Sequence, residues 1–516
     1  MIKRASVYVF VAIGLAAQTQ PIFRTGSRLI QVDVVVQNNK GAVRGLTKDD
    51  FTLLDRGKTQ PIAMFAVTDS QAKAGLAAPL PANAVSNRMN NQGEATSAIT
   101  VILYDRINTG AMSQAVARKQ VLSLLASLKA TDRVAFYSLD TRLVLVHPFT
   151  RTSEPLVRTA RQLDAQADTP QTDPTVKLLS NSLTAFQGPA DNPTRVNVTY
   201  GAFRVIARTL DGIPGRKNLI WMTASIPFTY GTGAERREND ELEFNRMVRV
   251  LSEANIALYP VDPRGTGTSD FVRSGIGTNS GGGRFLGGAS GAVTNSVNSL
   301  AGTEGLERMA DETGGKAFYN LNDVSVPGRE ILDSAEVTYT LGFYADEKTL
   351  DGKVHDLSVK LGKKASGAKV FHRKYYVAQP PSTLEEQLPT MSELVADEAD
   401  ATGIGIIAAT APDPARPGIH LVQVKVKLSD LQLEHQGSRY IGGFDLGLAS
   451  ANAGSSVSVK PISLNLTEDQ MKQALIQGIV IDNTVPSPEK DSQLRVVVQD
   501  KTRGTAGSVR IPIGPK

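Results

Sequence analysis

Asp105 closes an apolar run, residues 99–104 (ITVILY), and is followed by Arg106, Ile107, Asn108 and Thr109. A carboxylate leading a cluster of short oxygen-bearing side chains is the kind of donor set that a hard cation such as Mg²⁺ takes. Asp262 and Arg264 stand just past a second apolar run, 256–261 (IALYPV), where they can pair with each other or with the Asp105 loop. A loop-bracing ion pair is the plainer of the two roles. Other chemistries lack their residues. The chain has no cysteine, which excludes disulfides, thiolate metal sites and a thiol nucleophile. The histidines, at 147, 355, 372, 420 and 435, form no His-Glu-x-x-His set or other close metal pair. No Walker A loop occurs, and the glycine-rich stretch 265–291 lacks Gly-x-Gly-x-x-Gly and reads as a flexible excursion. Within it, Gly288-Ala289-Ser290-Gly291-Ala292 misses the nucleophile-elbow pattern by its last glycine. A catalytic role has no support, and the expectation is a protein that is not an enzyme.

The elements that must position Asp105 and Asp262 follow from hydrophobic period. Apolar runs at 99–104, 134–139, 218–222 and 256–261 predict strands buried on both faces, with 143–146 as an edge strand. Between them, helical spacing recurs at Ala117, Val121, Leu124, Leu125 and Leu128, with Ser113 as the expected cap. It recurs again at Phe203, Ile206, Ala207 and Leu210, and at Phe244, Met247, Val248 and Leu251. A last helix around 306–313 ends at Gly314-Gly315, which supplies a left-handed cap. Alternating strands and helices of this length predict an α/β domain over 98–336, with a mostly parallel sheet between helix layers. Such sheets bind ligands beyond the carboxyl ends of their strands, where Asp105, Asp262 and Arg264 lie.

Several motifs refine this. Gly45-Leu46-Thr47-Lys48-Asp49-Asp50-Phe51, Pro214-Gly215-Arg216-Lys217, Tyr259-Pro260-Val261-Asp262-Pro263-Arg264-Gly265, Ala310-Asp311-Glu312-Thr313-Gly314-Gly315 and Tyr339-Thr340-Leu341-Gly342-Phe343-Tyr344 occur in that order. Together with Asp55-Arg56-Gly57-Lys58 and Asp351-Gly352-Lys353-Val354-His355, they resemble the von Willebrand factor type A (VWA)-related proteins abundant in Acidobacteria, from about residue 29 to 377. The resemblance implies a VWA-type, Rossmann-like fold and a metal-ion-dependent adhesion site built from Asp-x-Ser-x-Ser plus a Thr and an Asp of later loops. On that pattern Asp105 takes the Asp position, Thr109 the second Ser and Thr194 the second-loop Thr. Ile107 replaces the first Ser, and Thr223-Ala224-Ser225 stands where the family has Asp. With two of five ligand positions lost, the expected site is degenerate. Mg²⁺ is the one cofactor it implies, and Asp105 is expected to accept backbone N–H bonds at its turn instead. The binding face then consists of Asn108, Thr223, Ser225, Asp262 and Arg264.

Around this domain the period turns to β. Residues 29–36, 51–54 and 62–67 predict strands, as do 337–344, 354–361 and 369–377. Each group is too small to bury a face alone, so 24–69 and 337–378 are expected to form one β-sandwich into which 98–336 is inserted. Residues 70–97, polar and aperiodic, predict a mobile linker, and the acidic stretch 379–402 predicts a linker to the last domain. Residues 403–516 predict a C-terminal β-sandwich of immunoglobulin-like type, with a helix over 468–476.

Residues 1–16 combine a basic start (MIKRAS), an apolar core (VYVFVAIGL) and small residues Gly14 and Ala16, the pattern of a secretory signal peptide. Its core is too short to span a bilayer, which takes about 20 residues, and no membrane span is expected elsewhere. The expected location is therefore periplasmic or extracellular. The net charge of +5 includes Lys3 and Arg4 of that segment, weak footing for a nucleic-acid partner. The basic stretch 353–374 reads as solvated strand faces. These features together predict an exported, non-catalytic binding protein that engages another protein at the cell envelope. The alternative is a structural, self-assembling envelope component, and an envelope hydrolase is less favoured than either.

Overall fold

Four strands, Ile99–Asp105, Arg133–Leu139, Lys217–Met222 and Ile256–Val261, are buried at every position, so each must be covered on both sides. This computed structural model describes residues 27–514 except 70–79, 89–98, 169–192, 227–233, 265–303, 379–387 and 451–456, and positions 40, 82, 130–131, 151–152, 214–215, 335–336, 347–348, 352, 489 and 502–503. The expected signal peptide and the glycine-rich stretch lie outside the described residues.

The four strands form one sheet in the order Ile256–Val261, Lys217–Met222, Ile99–Asp105, Arg133–Leu139, closed by the edge strand Leu143–Thr150. The first four are parallel and the edge strand is antiparallel. Alternate side chains feed two cores. Val101, Leu103, Tyr137 and Trp221 pack under Phe203, Ile206, Phe244, Met247 and Leu251 of the helices Pro193–Leu210 and Ala234–Glu253. Ile102, Phe136, Ile220 and Met222 pack under Val121, Leu124, Leu125 and Ile331 of the helices Ala111–Ala126 and Ser325–Ser334. Each such side chain contributes roughly 1.5–3 kcal/mol by burial. One expectation fails: the first helix starts at Ala111 with Gly110 as its N-cap, not at Ser113. Ser113 already lies inside the first turn, where its N–H donates to the Gly110 carbonyl.

The helix over residues 304–313 ends as its glycines require. Gly314 has φ +81°, and Gly315 approaches the Leu258 strand so closely that a Cβ there would lie 1.8 Å from the Leu258 carbonyl oxygen. Thr313 secures the same strand by accepting the Leu258 N–H at 3.0 Å. A Cβ on Gly314 would meet the backbone of His372 and Arg373 at 2.6 Å. Gly314→Ala is therefore expected to lose about 2 kcal/mol of stability, read as a lower denaturant midpoint with unchanged slope.

The first β module draws on both sides of the α/β segment. Ser27–Asn38 runs antiparallel to Val337–Asp346, pairing Ser27 with Asp346 and Val34 with Tyr339, between Met64–Asp69 and Lys369–Phe371. A second sheet orders Tyr375–Val377, Val354–Leu361, Phe51–Asp55 and Lys58–Gln60. Arg56 and Gly57, both at positive φ, make the two-residue turn of its hairpin. Val32, Leu53, Tyr339, Leu341 and Phe343 fill the space between the sheets. At one end, buried His355 faces Asp55 at 2.9 Å through Nδ1 and Asp351 at 3.2 Å through Nε2, and the Tyr376 hydroxyl donates to Asp55. The Lys353 backbone N–H, aided by His355 and Arg56, holds the Asp351 carboxyl down at about 2. A depressed carboxyl stabilises the fold above its unfolded value, about 3.9, and that contribution disappears as pH falls toward 2. Asp351→Asn should flatten the loss of stability between about pH 4 and pH 2 in acid unfolding curves.

The C-terminal module draws a strand from the stretch expected to be a mobile linker. Its sheets are Ile479–Pro486, Ile419–Val426, Ile406–Pro412 and Ala84–Ser86, and, opposite, Leu433–Gln436, Arg439–Ser450, Ser492–Asp500 and Ala506–Ile513, with Ser458–Thr467 also on Arg439–Ser450. Val424, Phe444, Leu446, Val496, Val498 and Ile511 lie between them, and the helix Glu468–Gln477 follows Ser458–Thr467. Residues 84–88, expected to be part of a mobile linker, instead supply an edge strand pairing Ile407 with Ser86 and Ala409 with Ala84. The Asn87 side chain donates to the Ala401 and Ile404 carbonyls and accepts the Ile406 N–H.

The described part of the acidic stretch, 388–402, is also ordered. Met391–Ala396 is a helix closed by a Thr390–Glu393 capping box. The acidic residues that follow meet arginines: Asp397 pairs with Arg208 at 2.8 Å, Asp400 with Arg495, and Glu398 with Arg142 at 3.2 Å. Glu398 also accepts the edge-strand N–H of Leu145. Thr402 bonds the end of the Pro193–Leu210 helix through the Arg208 carbonyl, the Thr209 carbonyl and the Gly212 N–H. Arg88 joins the Gly212 carbonyl to Asp430 of the C-terminal module. No helix among the described residues is long and apolar enough to cross a membrane.

Candidate functional site

Strand order changes direction between Ile99–Asp105 and Lys217–Met222. From the first the chain continues to 133–139 on one side, and from the second to 256–261 on the other. A crevice at the carboxyl ends of two such strands is where open α/β sheets place ligands. The loops flanking it here are 106–110 and 223–226, and the first turn of the Pro193–Leu210 helix faces them.

Asp105 is fully buried at this point. Its Oδ1 accepts the Asn108 backbone N–H at 3.0 Å, and its Oδ2 accepts the Asn108 side-chain amide at 2.7 Å and Trp221 Nε1 at 2.8 Å. Burial pushes its carboxyl up from the ordinary range, opposed chiefly by the hydrogen bonds from Asn108 and Trp221. Asn108 is the hub: its amide also donates to Thr199 Oγ1 at 2.9 Å, and its Oδ1 accepts Arg195 Nε at 3.0 Å. Ser225 Oγ donates to the Asn108 carbonyl at 3.0 Å and lies 3.4 Å from Arg195 Nη2. Thr109 Oγ1 accepts the Ala224 N–H, and Thr223 Oγ1 donates to the Ser225 carbonyl. The two loops are thus stitched into one polar unit.

Of the residues expected to act here, Asp105, Asn108, Thr109, Thr223 and Ser225 are brought together. Thr194 is exposed in the first turn of its helix, and the threonine from that helix that meets Asn108 is Thr199. Asp262 and Arg264 pair with each other at 2.6 Å, and Asp262 Oδ1 also accepts the Arg264 N–H at 3.0 Å, a brace confined to its own turn. Three participants were missing from the sequence reading: Arg195, Thr199 and Trp221. The spacing of Arg195 and Thr199, four apart on one helix face, and the position of the chain's single tryptophan beside the Asp105 strand were the available signals.

The donor set does not fit a divalent cation. Both oxygens of Asp105 already accept N–H donors, Ile107 offers no oxygen, and the neighbouring charged group is a guanidinium. Among the described residues no cluster of three or more acidic, histidine or cysteine side chains is placed to hold a metal. A separate cavity of about 400 Å³ lies beside the edge strand, and four of its charged lining residues pair there, Arg142 with Glu398 and Arg208 with Asp397.

No family model and no curated protein matches the chain. Solved structures similar to it include a von Willebrand factor type A protein from Catenulispora acidiphila (11% identity, 89% of this chain and 74% of that one, TM-score 0.25). Others are an aerotolerance-related membrane protein from Bacteroides fragilis (13% identity, 46% and 98%, TM-score 0.25) and the PilB minor pilin from Streptococcus sanguinis (12%, 47% and 63%, TM-score 0.28). Likeness at this level assigns no function.

Proposed function

We propose that this chain is a non-catalytic binding protein of VWA type, related to the Acidobacteria group and exported to the cell envelope. It engages another protein with the loops at the carboxyl ends of its parallel strands, without Mg²⁺. The C-terminal module, of immunoglobulin-like type in this reading, holds that face at a fixed orientation through residues 397–402. The observation that carries the proposal is the saturation of Asp105. Its carboxylate is engaged by donors of its own loop and the neighbouring strand, so it acts as a rivet for a rigid surface. A general base must lie within reach of a substrate proton, and Asp105 is fully buried beneath its donors.

Photo-crosslinking residues at exposed Thr194 and at Arg106, in the native host, test the reading. A discrete adduct from both positions, unaffected by chelator, is the expected result. Adducts that vanish with chelator, or none at either position, would overturn it. Calorimetric titration with Mg²⁺ and Mn²⁺ should show no saturable heat.

The self-assembly reading has one observation in its favour. Val459, Ile476 and Val480 of the C-terminal module are exposed by 48%, 81% and 52%. A molecular mass that rises with concentration in size-exclusion chromatography, and returns to monomer in Ile476→Ser, would favour that reading.

A further inference from the structure

Arg106, Arg195 and Arg264 stand near the carboxyl ends of the parallel strands, and they differ in one respect. Arg106 pairs with Asp140 at 3.3 Å and Arg264 with Asp262 at 2.6 Å. Arg195 has no carboxylate within ion-pairing distance among the described residues. Its contacts are the neutral oxygens of Asn108, at 3.0 Å, and Ser225, at 3.4 Å. The nearest opposite charge is Asp105, which Arg195 meets only through the Asn108 amide between them. A half-buried cation with no direct ion pair carries a desolvation cost, and burial pushes the Arg195 guanidinium below its ordinary value, opposed by the charge of Asp105.

The position of Arg195 is as informative as its charge. Asn108 belongs to the loop after one central strand and Ser225 to the loop after the other, so Arg195 bridges the two lips of the crevice at the switch point. Its orientation is fixed from below. Asn108 is held by Asp105 and Thr199, and Asp105 by Trp221, all of them buried to at least 98%. With Nε engaged by Asn108, the Nη1 amino group has no partner among the described residues and is not among the buried unsatisfied atoms. A guanidinium whose two terminal nitrogens point together presents a fork that matches the two oxygens of a carboxylate.

We propose that Arg195 is the anchor of a carboxylate-binding site, holding an acidic group of the protein partner over the joined loops 106–110 and 223–226 without any metal ion. The inference rests on the binding-protein reading above. A single guanidinium flanked by neutral hydroxyls and amides suits one carboxylate; a phosphate group would call for further cations or a nest of backbone N–H groups. Asn108 and Ser225 are positioning residues, since they act through Arg195.

The test uses the full chain in chelator, with four probes followed by ligand-observed NMR: N-acetyl-aspartate N-methylamide, its asparagine counterpart, N-acetyl-dialanine with a free carboxyl end, and inorganic phosphate. The expected result is saturable binding of at least one carboxylate probe in the millimolar range, and about tenfold or more weaker binding of the asparagine analogue. The two carboxylate arms distinguish an acidic side chain from a chain terminus as the natural group. Arg195→Gln should weaken carboxylate binding about tenfold or more, and Arg195→Lys less, while the Trp221 unfolding midpoint stays close to the parent value. Equal binding of the asparagine probe, preference for phosphate, insensitivity to Arg195→Gln, or no saturable binding of either carboxylate would each overturn the proposal. Photo-adducts at Thr194 and Arg106 that persist in Arg195→Gln would overturn this inference alone, whereas absence of adducts in the parent chain overturns the binding-face reading itself.

Discussion

Asp105→Ala is expected to lower the stability of the α/β module by about 4 kcal/mol, the largest effect of any single side chain at the strand ends. Removing the carboxylate strands the Trp221 indole N–H and the Asn108 backbone and amide N–H groups in a buried site, each left without its acceptor. Unsatisfied buried donors cost about 1–3 kcal/mol apiece. Asp105→Asn should not rescue, because its NH₂ group would face either Asn108 or Trp221, both donors. Trp221 is the chain's single tryptophan and is fully buried beside the site, so its fluorescence reports this module directly. A urea midpoint unchanged in Asp105→Ala would refute the rivet role.

Asn87→Ala should weaken the C-terminal module by about 3 kcal/mol while leaving the Trp221 transition nearly in place. The Asn87 side chain satisfies two carbonyls and one N–H, all at about the length of good hydrogen bonds, and it sits buried among them. Its loss should also free Ala84–Ser86 from the sheet edge. Hydrogen exchange localises the effect: faster exchange at Ile406 and its strand is expected, with protection retained across 99–105. Uniform protection throughout would show that the 84–88 segment is dispensable.

The α/β sheet was legible because its strands are buried on both faces and therefore spell themselves as continuous apolar runs. The Asp105 loop was legible because an aspartate closing such a run is conspicuous. Two things were not. The Ala84–Ser86 strand is three small residues long and lies in an aperiodic polar stretch, so nothing local distinguishes it from a connection. The acidic residues 397–400 read as solvated charge because their arginine partners, at 142, 208, 495 and 510, are distant in sequence. Arg195 escaped notice for a similar reason. Its role depends on which oxygens it meets across the crevice, and pairings over 30 or 87 residues leave no local pattern.

The path of the chain through its modules has a consequence for how the protein is made. The strands Ser27–Asn38, Phe51–Asp55 and Met64–Asp69 meet their long-range partners at 337–377, and Ala84–Ser86 pairs with residues 407–409. A chain emerging from its N-terminus thus carries two sets of half-finished sheets, with their edges unsatisfied, until late in synthesis. The α/β segment is the one portion able to mature early, and everything around it waits. Such an order favours late closure, the first module before the C-terminal one, and chains truncated before residue 337 would be left with both flanking modules open.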